Sequence, residues 1–252
     1  MHTWDSKTSH EHSLLTLEAL NEFDDFKNSI KHMADFGCGK GLDLEYWGNM
    51  RENTEEGPGR YLDFNCVGFD LNAESNKPSR KNIKYKNFDL NSSDPMWSVP
   101  FDLIWCHNTM QYLNSPVEFL GRVNKNLSMG GMLYLCVPST VNVLHHMFQN
   151  YTPAGQLNTF TVTQIIYLLA LNGFDVKDFY LQKRKFEDII QVIVYKEREP
   201  LPYNTTWYEL VDKDILNDEM KKIVLKNNVL TDLGVVTTWV DGTVQDFRWH
   251  TS

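Results

Sequence analysis

Three glycines at alternate positions, Gly37, Gly39 and Gly41, stand directly behind a short apolar stretch, in the order Asp35-Phe36-Gly37-Cys38-Gly39-Lys40-Gly41. Glycine at this spacing lets a backbone leave a strand sharply and approach a ligand where a Cβ would collide. A ligand held there lies at the carboxyl end of the strand and near the positive end of the following helix. Acids recur behind later apolar stretches: Asp70 closes residues 65–70 and precedes Leu71, and Asp89 closes residues 83–89 and precedes Leu90. Two places offer a base that titrates near neutrality. One is His107, at the head of His107-Asn108-Thr109-Met110-Gln111-Tyr112, and the other is the pair His145-His146. A dinucleotide fingerprint G-x-G-x-x-G would need glycine where Leu42 stands, which argues against a nicotinamide or flavin ligand.

The elements that must position these residues follow from apolar spacing. Residues 12–31 carry Leu14, Leu17, Leu20, Phe23, Phe26 and Ile30 near helical spacing, which predicts an amphipathic helix. Short strands are predicted at 32–36, 65–70, 83–89, 101–106, 132–137, 175–181 and 188–195, with helices at 42–50, 116–127 and 163–172. Gly130-Gly131 should break the second of those helices, and Gly173 should stop the third. Residues 53–58 read as an exposed loop. Alternating strands and helices imply a doubly wound α/β fold, a mainly parallel seven-strand sheet with helices on both faces. Beyond Pro200 and Pro202 the pattern changes to a charged helix at 212–228. A hairpin at 235–249 follows, centred on Asp241-Gly242, which suits the turn that strand twist favours. The expected organisation is a domain over residues 1–199 and a helix-hairpin extension over 200–252 that packs on it.

The stretch 35–41 resembles motif I of class I S-adenosylmethionine-dependent methyltransferases, commonly written D-x-G-x-G-x-G. Asp70, Asp89, the run Phe101 to Asn108 and Gly130-Gly131-Met132-Leu133 resemble further landmarks of that family in the same order, so the resemblance spans residues 33 to about 195. It implies S-adenosylmethionine as cofactor and S-adenosylhomocysteine as product. Asp70 would accept from the ribose hydroxyls and Asp89 from the adenine amino group, with Leu71 and Leu90 beside them. Gly37, Cys38, Gly39 and Gly41 would form the cradle. Asp35 would either meet the amino end of the methionine or brace the loop. His107 would border the transferred methyl, as a base or as a pocket wall, with His145 and His146 as the other candidate bases. Asn108, Tyr112 and Tyr151 would line the methyl acceptor, and Trp4, His10 and His12 could belong to an amino-terminal lid. One departure is the long gap between Gly41 and Asp70, whose excess is assigned to a loop around residues 50–62.

Composition narrows the acceptor. The formal net charge of -9 disfavours sequence-blind nucleic-acid binding, which depends on Lys and Arg neutralising phosphates. The Pro-Pro-aromatic segment of exocyclic-amine methylation and the Pro-Cys of cytosine methylation are both missing after residues 101–106, where Cys106-His107-Asn108 stands. DNA is therefore not expected, and a small molecule accepting methyl on oxygen or nitrogen is. The alternatives are a methyltransferase-like module that binds without turnover and a nicotinamide-dependent oxidoreductase. Four scattered cysteines, Cys38, Cys66, Cys106 and Cys136, form no C-x-x-C pair, so neither a metal site nor a disulfide is expected. With no apolar run of about 18 residues and no secretory signal at its start, the chain reads as a cytoplasmic protein outside the membrane. The carboxyl-terminal extension offers a route to a homo-oligomer, and Trp239, Phe247 and Trp249 on its hairpin would either form an interface or cover the hairpin's own core.

Overall fold

The computed structural model describes residues 29–54, 57–62, 64–94, 98–138, 156–184, 189–227 and 245–248. In chain order its strands begin with β1 (His32–Phe36), β2 (Arg51–Thr54), β3 (Gly57–Tyr61), β4 (Asn65–Asp70) and β5 (Ile83–Asn87). They continue with β6 (Phe101–His107), β7 (Leu127–Pro138), β8 (Tyr180–Arg184), β9 (Ile189–Tyr195) and β10 (Gln245–Arg248). The helices are α1 (Leu42–Gly48), α2 (Pro116–Asn126), α3 (Val162–Leu171), α4 (Trp207–Asp212) and α5 (Asp218–Asn227). Among the described residues the main sheet holds eight strands in the order β10-β8-β9-β7-β6-β1-β4-β5. β1 lies parallel between β4 and β6, with Ala34 opposite Val67 on one side and Ile104 on the other. β5 and β7 extend this parallel block, while β9, β8 and β10 add antiparallel strands on the β7 side.

Strands β1, β4, β6 and β7 are buried almost end to end, as expected of a parallel sheet covered on both faces. Side chains alternate between two cores. Ala34, Phe36, Val67, Phe69, Ile104 and Cys106 join Phe119, Leu120 and Val123 of α2 and Ile165, Ile166 and Leu169 of α3. Met33, Leu103, Trp105 and Tyr134 face the opposite way, onto Leu44 and Trp47 of α1. The doubly wound α/β fold expected from the pattern is therefore present.

Local chemistry explains where elements start. Ser115 caps α2 by accepting from the Glu118 amide, ahead of Pro116, a residue preorganised for a first turn. Thr161 and Gln164 form a capping box on α3, and Gly173, at φ +83°, ends that helix.

Several boundaries differ from expectation. The stretch at 50–62 is a two-stranded antiparallel ribbon, β2 with β3, pairing Thr54 with Gly57 and Asn53 with Pro58. Its polar sequence has no apolar alternation to announce it. No helix-breaking stretch precedes β7: the strand begins at Leu127, and Gly130 and Gly131 lie inside it. The strand expected at 175–181 starts only at Tyr180, because the Asp175 carboxylate folds back to accept from the Lys177 and Asp178 amides. The helix expected at 212–228 starts only at Asp218 as α5, and a separate short helix, α4, precedes it at Trp207–Asp212. Asp214 turns the chain at φ +55°, and Asn217 accepts from the Met220 amide at the start of α5. The amino-terminal helix at 12–31 lies almost wholly outside the described residues, as does most of the 235–249 hairpin. Its Gln245–Arg248 segment is β10.

Candidate active site

The chain moves to the β4 side of β1 after one crossover and to the β6 side after another, so the sheet order reverses beside β1. Ligands of open α/β sheets bind at such a switch point, outside the carboxyl ends of the strands. The glycine loop leaves β1 there.

Its three glycines have different reasons to be glycine. All have positive φ, +83° at Gly37, +49° at Gly39 and +77° at Gly41. A Cβ on Gly37 would sit 1.9 Å from Thr109 Oγ1, and one on Gly41 would sit 2.2 Å from the Tyr85 hydroxyl. A Cβ on Gly39 would meet nothing within 4 Å. Gly37 and Gly41 are thus closed against the protein, while Gly39 faces the open side where a ligand has room.

Hydrogen bonds hold the loop to β4. The Gly37 and Cys38 amides both donate to the Phe69 carbonyl, at 2.7 and 3.1 Å. The Gly39 amide donates to Asp70 Oδ2 at 3.1 Å, and Asn76 Nδ2 donates to the Gly39 carbonyl at 2.8 Å. Asp70 therefore ends β4 against the loop, and Leu71 after it is 65% exposed. Cys38 is buried, and burial raises its thiol pKa, so it packs as an apolar side chain and not as a nucleophile.

Asp35 lies at the end of β1, 3% exposed. Burial raises its carboxyl pKa well above the ordinary value, and the nearby carboxylates Asp43 and Asp70 raise it further. Asp43, in the first turn of α1, accepts from Trp105 Nε1 at 3.0 Å. Asp35 on β1 therefore holds its proton more tightly because Asp43 on α1 and Asp70 on β4 add negative charge nearby.

Asp89 and Leu90 follow β5, with Asp89 two residues beyond the strand. Asp89 Oδ1 accepts from the Asn91 amide at 2.8 Å, and Leu90 is buried in the core below α2.

At the end of β6, His107 is 7% exposed, its Nδ1 lying 3.0 Å from the Tyr134 hydroxyl. That hydroxyl also receives Gln191 Nε2 at 3.0 Å, and the Tyr134 ring stacks on Trp105 at 3.6 Å. His107 is therefore held by β7 and β9 through one phenol. Asn108 adopts φ +52° while its amide donates to the Cys136 carbonyl at 3.0 Å. Tyr112 ends the turn that follows and is 41% exposed. The Leu157 and Asn158 amides donate to the Gln111 carbonyl, fastening the next segment over this turn.

The structure gathers Asp35, Gly37, Cys38, Gly39, Gly41, Asp70 and Leu71 around one loop, with His107 and Asn108 on the neighbouring strand. His145, His146 and Tyr151 lie outside the described residues, as do Trp4, His10 and His12. Sequence reasoning missed Thr109, Tyr85 and Asn76, which close the loop, and Tyr134 and Gln191, which hold His107. Nothing in their local sequence marks them, since each acts through a partner more than 25 residues away. No group of three potential metal-binding side chains occurs among the described residues, and none of the four cysteines is in a disulfide.

Residues 10–178 match the family described as methyltransferase domain. Among solved structures, magnesium protoporphyrin IX methyltransferase of Synechocystis, with bound S-adenosylhomocysteine, aligns at TM-score 0.53 and 13% identity over 75% of this chain and 84% of that one. Human N-acetylserotonin methyltransferase in complex with S-adenosylmethionine aligns at TM-score 0.50 and 18% identity over 71% of this chain and 50% of that one. A chain from the Haloferax volcanii complex of the Trm112 methyltransferase activator with a methyltransferase aligns at TM-score 0.54 and 12% identity, over 71% and 90%. At these identities the likeness is one of fold. A search of curated protein sequences finds no match.

Proposed function

This chain belongs to the methyltransferase-domain family, matched over residues 10–178, and from that premise we propose that it methylates a small molecule held over the ends of β6 and β7. It is a class I S-adenosylmethionine-dependent methyltransferase. The observation that carries the site assignment is the open side of Gly39, whose amide is bonded to Asp70 at the switch point. The cofactor carries a sulfonium and an ammonium, so a loop open at Gly39 for close backbone approach, with Asp70 bonded to it and Asp35 buried behind it, suits that ligand.

Each residue then has a definite task. The loop at Gly37, Gly39 and Gly41 brings backbone close to the methionine portion. Asp35 faces the ammonium group and gains a countercharge there. Asp70 has one oxygen committed to the Gly39 amide, so its other oxygen accepts from the ribose hydroxyls. Leu71 gives the purine an apolar side and loses its exposure when that ring is bound, while Leu90, whose side chain is buried in the core, lies beside the ring through its backbone. Asp89, with Oδ1 engaged by the Asn91 amide, offers its second oxygen to the adenine amino group.

The cofactor supplies a methyl group already activated by the positive sulfur. What remains for the protein is alignment and, for an oxygen acceptor, removal of a proton. We assign that removal to His107, a reading supported by the contact with Tyr134 that holds its ring orientation. Asn108 and Tyr112 line the acceptor side. His145 and His146 as further bases, and Tyr151 as a wall, keep the assignment that their sequence positions suggest. The small-molecule reading takes support from the substrates named for two fold neighbours, magnesium protoporphyrin IX and N-acetylserotonin. Residues 200–252 are read as an extension of the domain, supported by the bridge between Val176 and Leu216 and the ion pair of Lys177 with Asp214.

Calorimetric titration with S-adenosylmethionine, S-adenosylhomocysteine and NADH in parallel tests the site. Saturable heat is expected from the two adenosyl sulfur compounds and none from NADH. Binding of NADH, or of none of the three, would overturn the assignment.

A further inference from the structure

The residues assigned to the adenine ring are held from across the sheet. Arg122, on α2, donates from a terminal guanidinium nitrogen to the Leu90 carbonyl. The same peptide unit donates its other polar group, the Asn91 amide, to Asp89 Oδ1 at 2.8 Å. One peptide plane therefore links Arg122 to the Asp89 carboxylate. A second tie comes from the turn before α2, where the Asn114 amide donates to Asn91 Oδ1 at 2.8 Å. Burial lowers the Arg122 pKa, and the charges of Glu118 and Asp89 oppose that shift, so the guanidinium and the Asp89 carboxylate feel each other electrostatically. A guanidinium stays protonated across the working range, which makes this a permanent positive charge beside the loop.

We propose that Arg122 is the positioning residue for base recognition: it fixes the peptide between Leu90 and Asn91 and so aims the free oxygen of Asp89 at the adenine amino group. The inference rests on the assignment of Asp89 and Leu90 to the adenine ring. It makes a chemical prediction beyond affinity. An amino group donates to a carboxylate, whereas the 6-oxo group of hypoxanthine presents lone pairs to it and is repelled. A carboxylate held in place by Arg122 discriminates between these bases; one left to rotate discriminates less.

The readout is the ratio of dissociation constants for S-inosylhomocysteine and S-adenosylhomocysteine, measured by calorimetry on the full chain. A purely structural contribution of Arg122 weakens both ligands alike and leaves the ratio unchanged. The wild-type ratio is expected to favour adenine, and Arg122→Met should reduce it about tenfold, the scale of one charge-assisted hydrogen bond. Asp89→Asn should remove the preference, and adding Arg122→Met to it should change the ratio no further. Arg122→Lys keeps the charge but loses the fork, so it should recover part of the ratio. Should Arg122→Met not fold, Arg122→Lys carries the comparison alone, with a ratio intermediate between wild type and Asp89→Asn.

An unchanged ratio in the Arg122 variants, with loss in Asp89→Asn, would overturn the inference and leave the adenine assignment standing. An unchanged ratio in Asp89→Asn as well would overturn the adenine assignment itself.

Discussion

At the scale of single residues, the glycine loop separates two demands that a motif writes with one letter. Gly37 is glycine because Thr109 occupies the space of its side chain, whereas Gly39 has open space there and is assigned to ligand approach in the proposed site. The two should fail differently. Gly37→Ala combines left-handed strain of about 1–2 kcal/mol with overpacking of about 1–3 kcal/mol, so it should lower unfolding free energy by roughly 2–5 kcal/mol. Thr109 is too short to swing aside, and adding Thr109→Gly should restore part of the loss. Gly39→Ala should cost only the strain, about 1–2 kcal/mol, yet weaken S-adenosylhomocysteine binding. Urea unfolding paired with calorimetry checks both. Equal stability losses would mean that Thr109 does not close the loop, and unaltered affinity in Gly39→Ala would move the ligand elsewhere.

At the scale of elements, the join between α4 and α5 shows how a short turn is anchored. Asp214, at φ +55°, pairs with Lys177 near β8 at 2.6 Å and with Lys221 of α5. Hydrogen bonds from these lysines, Lys177 first, hold its carboxyl down at about 2. A depressed folded pKa means the folded state prefers the ionised acid. The resulting stability is therefore present above the unfolded value, about 3.9, and is lost as pH falls through the folded one. Because the group is exposed, added salt should shrink the effect. The expected result is that Asp214→Asn lowers Tm at neutral pH and flattens the fall in Tm between about pH 4 and pH 2. A variant with the wild-type acid profile would show that this pair contributes nothing in solution.

At the scale of the whole molecule, the site exists because separate elements converge. Asp35 comes from β1, Asp43 from α1 and Asp70 from β4, and Cys38 and Tyr85 feel the Asp35 charge as well. An acid whose folded pKa is raised binds its proton more tightly folded than unfolded, so it favours folding at low pH and opposes it as pH rises past the unfolded value. A cationic ligand reverses that preference and expels the proton. Affinity for S-adenosylmethionine should accordingly rise with pH as Asp35 ionises, accompanied by proton release, and Asp35→Asn should flatten the dependence. Calorimetry in buffers of different ionisation enthalpy measures the released proton directly. Binding without proton release in the wild-type protein would mean that Asp35 does not change its charge when the ligand binds.

What the residues determined unaided was the periodic and local part: the apolar runs of the parallel strands, the glycine spacing after β1, the acid at the end of β4 and the acid just beyond β5. These are set by side-chain period and by backbone freedom over a few neighbouring positions, which a chain displays before it folds. The ribbon of β2 and β3 escaped that reading because its polar sequence carries no apolar alternation. The shifted start of β8 and the break between α4 and α5 escaped because carboxylates and amides competed with the regular ladder. Thr109 beside Gly37, Tyr134 beneath His107 and Arg122 behind Asp89 were decided only by tertiary structure. Each partner arrives on a different strand or helix, and contacts across a sheet leave no trace in the spacing of either segment.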